Sequence, residues 1–578
     1  MSSVYKTAHL FLKKHTTANE NLRKVQVLLR TLAVGLGVIH VFAAITSQSM
    51  NADGISYLDI GDAYFRADWV NAINPVWSPL YSWILGFVNF VIQPSIQWEF
   101  PVVHLVNFII YLLALISFEF MWKRVRTFEA SNGSYTLTDS WWWTLGYLLF
   151  IWISLSLIEI WSVTPDMLMA AIVFLAAGSI AQMRAGEGSL WSFISLGLIL
   201  GFGYLSKSFM VSISILFLAM AWIVQRRSGR KILLAGSVFL LLSLPFILLI
   251  SVKKGKFTIG ESGTVTYLRY VNGMPFPHWQ GDPQRGIILT HPSQIVHQSP
   301  AVYEFDGPIG GTYPISTDPS YWYEGVDPRF DIASLLARLF ASSLVYAELF
   351  LHQQGILVAC IFALYTMRQK RKYTLQESLE RWALVIPALI AFGLYGAVLV
   401  EGRYVGAFIL LFWADILGNV RIPNVPANGL WLEVLCSIAA FGLLANIILY
   451  NLDGFTRLAP SWQSSLSAAT APAASPLVVA RTLQELGVRP GAKVGVIGYA
   501  YDSFWARLAH VRIVAEMLEA DANEYWQGDE ALRQSVLQAF ANIGVDAVVA
   551  EYVPDNTGMR DWHQVENSNY YIYVFKEQ

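Results

Sequence analysis

The sequence predicts a polytopic α-helical membrane protein that ends in a small soluble α/β domain. Three observations predict it. Hydrophobic residues make up 55% of the 578 positions and charged ones only 14%, which is not the balance of a soluble chain. Apolar runs of about 20 residues, the length that crosses ~30 Å of hydrocarbon as helix, recur as far as residue 450. Beyond a small-residue linker, short β-rich runs alternate with an amphipathic helix.

A polar stretch of about 30 residues carrying Lys6, Lys13, Lys14, Arg23, Lys24 and Arg30 precedes the first apolar run. It reads as a cytoplasmic tail over 1–30 and not as a cleavable signal. The membrane domain is expected over 31–455, with candidate spans near 31–48, 101–121, 142–160, 167–182, 190–206, 209–225, 232–251, 335–366, 382–400, 404–419 and 430–450. The run at 335–366 is long enough to hold a break, and about 11 to 13 spans are expected in all. Short cytoplasmic loops are enriched in Lys and Arg. Lys123, Arg124 and Arg126, then Arg184, then Arg226 to Lys231, then Arg368 to Lys372 fall on one side, which leaves the loops 49–100 and 252–334 on the outer side. The second of these is rich in Gly, Pro and aromatic residues, and its rings suit either sugar stacking or the headgroup boundary.

A linker over 456–475 leads to a domain over 476–578, expected outside the membrane. Lys493–Gly498, Val511–Val514, Val545–Val549 and Tyr570–Phe575 read as strands, and Asp529–Ile543 as an amphipathic helix. Gly495 and Gly498 lack the third glycine of a dinucleotide fingerprint. A net charge of -2 offers no basic surface for nucleic acid. Cys360 and Cys436 lie inside apolar runs and read as small buried side chains. His278, His291 and His297 lack regular ligand spacing, so no metal site is expected there.

Chemistry is expected where carboxylates and cations meet the outer ends of spans. Asp53 follows the first span by a few residues, where a lipid headgroup and a water-soluble acceptor can both reach it; alternatively, it is a solvated acid or helix cap. Asp166 follows Pro165 at the start of a span and suits a helix cap equally well. Lys207 either snorkels to the interface or meets an anion. Glu401 and Arg403 form either a structural ion pair or an oriented phosphate-binding fork.

The order Asp53-x-x-x-Tyr57-x-x-Ile60, then Ala67-Asp68-Trp69, then Ser78-Pro79, resembles the first outer loop of polyprenyl-phosphate-dependent glycosyltransferases of the GT-C fold. The nearest resemblance is to lipid A aminoarabinose transferases and protein O-mannosyltransferases. Thr164-Pro-Asp166, Gly203-Tyr-Leu-Ser-Lys207 and Glu401-Gly-Arg403-Tyr404 resemble later motifs of the same group, in the same order, over residues 31–420. Three positions depart from the pattern: Gly54 replaces an acidic neighbour, Ser56 an arginine and Ser78 a lysine. The resemblance implies an inverting transfer of a sugar from a polyprenyl-phosphate donor to a hydroxyl acceptor. Asp53 would be the general base, Lys207 and Arg403 would hold the donor phosphate, and Tyr57, Asp166, Glu401 and Tyr404 would support them. No cofactor is required, and a divalent cation near Asp53 and Asp166 is compatible but not implied. The expected setting is a bacterial inner membrane, with the N-terminus cytoplasmic and the C-terminal domain periplasmic. The rival readings are a glycolipid transporter, which predicts midplane charges and inverted repeats, and an inactive scaffold.

Overall fold

The computed structural model describes residues 2–127, 134–226, 228–367, 374–423, 425–458, 476–551, 553, 561–566 and 568–575. Among these, seven helices are long and apolar enough to cross a membrane: Glu20–Thr46, Glu99–Arg126, Asp139–Leu157, Asp166–Arg184, Gly229–Lys254, Ile332–His352 and Pro426–Asn451. Leu375–Arg381 and Val385–Gly396, bent by 74°, make an eighth if they are one span. The larger expected number also counted runs that fold as shorter helices, such as Leu190–Ser206 and Met210–Val224. At 1.5 Å per residue, the 17-residue helix Leu190–Ser206 extends only about 26 Å. The run at 335–366 does break: Ile332–Ala347 ends in a wide turn at Glu348–His352, and helix restarts at Gly355. The N-terminal tail is helical and continuous with the first span, over Ser2–Thr46.

The segment expected as the first outer loop folds as a helical hairpin. Ala52–Phe65 and Pro79–Ile92 form its arms, the second begun by Pro79, whose fixed φ suits the first helical turn. The arms touch backbone to backbone. A side chain on Gly61 would come within 2.7 Å of the Ser82 carbonyl, and one on Gly86 within 2.6 Å of the Gly61 carbonyl. Two glycines facing each other thus set the spacing that fixes the Asp53-bearing helix. Behind it, Asp166–Arg184 packs along Glu99–Thr127 and is buried over almost its whole length.

The C-terminal strands lie in a seven-stranded mixed sheet. Its strands are β1 (Gln294–Gln298), β2 (Ala301–Glu304), β3 (Lys493–Gly498), β4 (Arg512–Leu518), β5 (Ala547–Ala550), β6 (His563–Gln564) and β7 (Tyr571–Val574). Their spatial order is β1-β2-β4-β3-β5-β7-β6. The central β4-β3-β5 triplet is parallel, and β2 joins β4 antiparallel through Tyr303 opposite Glu516. The strand pattern of 476–578 is therefore not complete in itself, because two strands come from the 252–334 segment. Alternation in Gln294–Gln298 is weak, so the sequence gives no strand signal there. The linker expected at 456–475 lies outside the described residues from 459 onward.

Candidate active site

The sequence-selected residues converge. Asp53 lies in the first turn of Ala52–Phe65, and Asp166 opens its own helix. Lys207 ends Leu190–Ser206, and Glu401 precedes Gly402–Gly418, whose first turn carries Arg403 and Tyr404. Arg403 Nη1 donates to Asp53 Oδ2 at 2.9 Å and Arg403 Nε to Glu401 Oε2 at 2.7 Å. Asp166 Oδ2 is 3.9 Å from Arg403 Nε, and its Oδ1 accepts from Lys207 Nζ at 2.5 Å. The Lys207 ammonium also sits 3.8 Å from the centre of the Tyr404 ring, a cation–π contact. Tyr57, one turn after Asp53, is buried and meets Trp77 and Tyr81 edge-on at 5.2 and 5.1 Å.

Burial grades this network. Asp166 is closed off, whereas Asp53, Arg403 and Lys207 keep about a fifth of their side-chain surface and Glu401 36%. Arg403 and Glu401 line a cavity of about 380 Å³ whose other walls include Leu157, Leu349 and Tyr450. Three carboxylates here face two cations, which leaves one negative charge in excess, and Glu401 is the most exposed of the acids.

Sequence reasoning missed what registers the network. Asn51 accepts from the Val163 N–H at 2.8 Å and donates back to the Val163 carbonyl at 3.4 Å, tying the start of the Asp53 helix to the turn before Asp166. The three departures from the family pattern lie at close-packed positions. A side chain on Gly54 would meet Val163 at 2.7 Å. Ser56 is buried and donates to the Ser316 carbonyl at 3.1 Å, where an arginine has no room, and Ser78 is buried at the N-cap of Pro79–Ile92. The His residues go to separate partners: His278 to Glu516, His291 to Glu324 and His297 to Ser535. Among the described residues, no group of three or more His, Cys, Asp or Glu is arranged to hold a metal ion.

Further along the same helix is a second cluster. Arg507, from the C-terminal domain, reaches Asp59 at 2.8 Å, Asp62 at 2.8 Å and Glu99 at 2.6 Å. Asp59 also accepts from the Thr312 N–H at 2.6 Å and its hydroxyl at 2.9 Å. Burial pushes the Asp59 carboxyl above its ordinary value, and Arg507 and Thr312 oppose that shift. Asp68 caps the short helix Trp69–Ala72.

No protein-family model and no curated protein matches this chain. Solved structures that align with it include ArnT from Cupriavidus metallidurans bound to undecaprenyl phosphate, at 13% identity over 94% of this chain and 97% of that one, with a TM-score of 0.47. Another is the Archaeoglobus fulgidus oligosaccharyltransferase in complex with Zn and sulfate, at 11% identity over 91% of this chain and 68% of that one, with a TM-score of 0.45. Both are GT-C transferases.

Proposed function

We propose that this chain is a GT-C-type membrane glycosyltransferase that moves a sugar from a polyprenyl-phosphate donor to a hydroxyl acceptor at the outer face of a bacterial inner membrane. The observation that carries the reading is the meeting of Asp53, Asp166, Lys207 and Arg403, from four distant stretches of chain, in one ion network whose Arg403 borders a cavity.

In this reading the donor phosphate takes the place of carboxylates around the cations. Arg403 turns its fork from Glu401, the most exposed of the three acids, to the phosphate oxygens, and Lys207 adds a point charge. Asp53, released from part of its pairing, accepts the proton of the acceptor hydroxyl. The acceptor oxygen attacks the anomeric carbon from the face opposite the phosphate. The carbon–oxygen bond to the phosphate breaks, its electron pair stays on the lipid phosphate, and the two cations stabilise that charge as it grows. One displacement inverts the anomeric centre. A phosphate is a good leaving group, so the step needs no protein acid.

The test is transfer from a panel of radiolabelled polyprenyl-phosphate sugars, followed into lipid, glycan and protein fractions. Asp53→Asn keeps shape and removes basicity, and should lower transfer by about two to four orders of magnitude while undecaprenyl phosphate still binds. Transfer near the wild-type rate in that variant would refute the assignment.

A further inference from the structure

The cavity beside Arg403 has a wall that the ion network does not use. Two of the spans, Asp139–Leu157 and Ile332–His352, end there in wide turns. Each turn closes with a backbone N–H that reaches back five residues instead of four: Ile158 to the Ile153 carbonyl at 2.8 Å, and Gln353 to the Glu348 carbonyl at 3.0 Å. Such turns put an extra residue into a helix, shift the side chains around it out of register, and recur at functional sites. Ser156 and Leu157 of the first turn, Leu349 of the second and Gln353 just after it all line the cavity.

Glu159 belongs to the same wall. Its backbone is left-handed, at φ +62°, a conformation that a non-glycine residue keeps only where its surroundings over-determine it. Its Oε1 accepts from the Tyr450 hydroxyl at 2.6 Å, so the last span holds the carboxylate in place. The volume of about 380 Å³ suits a small-molecule site, and carboxylates outnumber cations in the described lining, Glu159 and Glu401 against Arg403. Two further polar atoms of the lining residues, Ser156 Oγ and Gln353 Oε1, are buried without a partner among the described residues. Each gains one if its side chain turns to a ligand hydroxyl.

We propose that Glu159 is the specificity-determining residue for the donor sugar: its carboxylate accepts hydrogen bonds from sugar hydroxyls and repels a sugar that carries a carboxylate of its own, so the donor is a non-acidic sugar. The inference rests on the transferase reading above and goes further, since it names the class of sugar. A sugar is joined to the donor phosphate through one oxygen, so a phosphate held by Arg403 puts the sugar in space that borders Arg403, and this cavity is such a space. A site built to bond hydroxyls rejects an analogue that leaves its buried polar groups unpaired, and a second carboxylate brought against the first adds like-charge repulsion. Tyr450 is then a positioning residue, acting through the Glu159 carboxylate.

The experiment gives the full-length protein radiolabelled polyprenyl-phosphate donors that carry a neutral hexose, an amino sugar or a uronic acid, and measures undecaprenyl phosphate binding alongside. Wild type should transfer from a non-acidic donor and discriminate against the uronic acid donor by about a hundredfold or more. Glu159→Gln removes the charge and keeps an oxygen for the Tyr450 hydroxyl. It should raise the KM for the accepted donor about tenfold, the loss of one hydrogen bond to a charged group, and cut the discrimination by about as much. Its affinity for undecaprenyl phosphate, which has no sugar, should stay within about twofold of wild type. Tyr450→Phe frees the carboxylate without removing it, and should raise KM less while the acidic donor is still rejected. Transfer of the acidic sugar by wild type at a rate comparable with any other overturns the inference, and needs no variant to fold. A Glu159→Gln protein with a lower melting temperature but unaltered KM and donor preference overturns it too, and either result leaves the transferase reading intact. Absence of transfer by the wild-type protein from every donor overturns the transferase reading, and the inference with it.

Discussion

One helix, Ala52–Phe65, carries two arginine–carboxylate clusters of the same composition and opposite character. Near its start, Arg403 faces Asp53, Glu401 and Asp166; six to nine residues later, Arg507 faces Asp59 and Asp62, with Glu99 beside them. Each arginine meets three acids and lines a cavity, of about 380 Å³ and about 350 Å³, but the first keeps 23% of its side chain exposed and the second 5%. Helical geometry separates them: residues three apart, such as Asp59 and Asp62, share a face, while Asp53 lies about 9 Å back along the axis and on another side. Charge pattern alone therefore does not tell a reactive site from a latch. The exposure of the arginine itself does, because a guanidinium that keeps a fifth of its surface exchanges partners more readily than one that is closed off.

The sharpest way to break the comparison is to remove each arginine. Arg507→Ala leaves Asp59 and Glu99 buried without their cation, and stripping one partner from a buried ion pair costs about 3–5 kcal/mol. The expected result is a marked fall in melting temperature in detergent and protease release of the C-terminal domain; equal resistance in wild type and variant would show that the cluster is no latch. Glu551 sharpens the contrast as a buried carboxyl that accepts from the Ser503 hydroxyl at 3.4 Å. Burial pushes it from an ordinary 4.5 up to about 7. The folded state holds this proton more tightly than the unfolded one, so stability is full below pH 4.5 and declines as pH rises towards 7, by about 3 kcal/mol in total. Melting curves from pH 5 to 8 should therefore slope downward, and Glu551→Gln should flatten that slope. A steeper slope in the variant would contradict the protonated form.

Arg403→Ala and Lys207→Ala are expected to have the smallest effect on stability and to act on the ligand instead. Each should weaken undecaprenyl phosphate binding by about ten- to a hundredfold, the range of one charge-assisted contact, with a melting temperature near wild type for Arg403→Ala and a modest fall for Lys207→Ala, which leaves buried Asp166 without its nearest cation. If Arg403→Ala destabilises the protein as much as Arg507→Ala does, both clusters are structural and the distinction by solvent access fails.

The sequence by itself determined the helical membrane character, the terminal strands and the list of charged groups worth attention. Apolar run length and the cost of an ionised group in hydrocarbon act locally, so Asp53, Asp166, Lys207 and Arg403 stood out at the ends of apolar runs before their contacts were known. Asp59 and Asp62 were equally visible, but nothing nearby in the chain separated their role from that of Asp53. Tertiary structure alone decided that Arg507 pairs with one set and Arg403 with the other, and that residues 294–304 extend the C-terminal sheet. Each of these depends on contacts between segments hundreds of residues apart. Such contacts are set by close approach, as at Gly61 against Gly86 and Gly54 against Val163, and by the need to pair every buried polar group, neither of which leaves a periodic trace in the sequence.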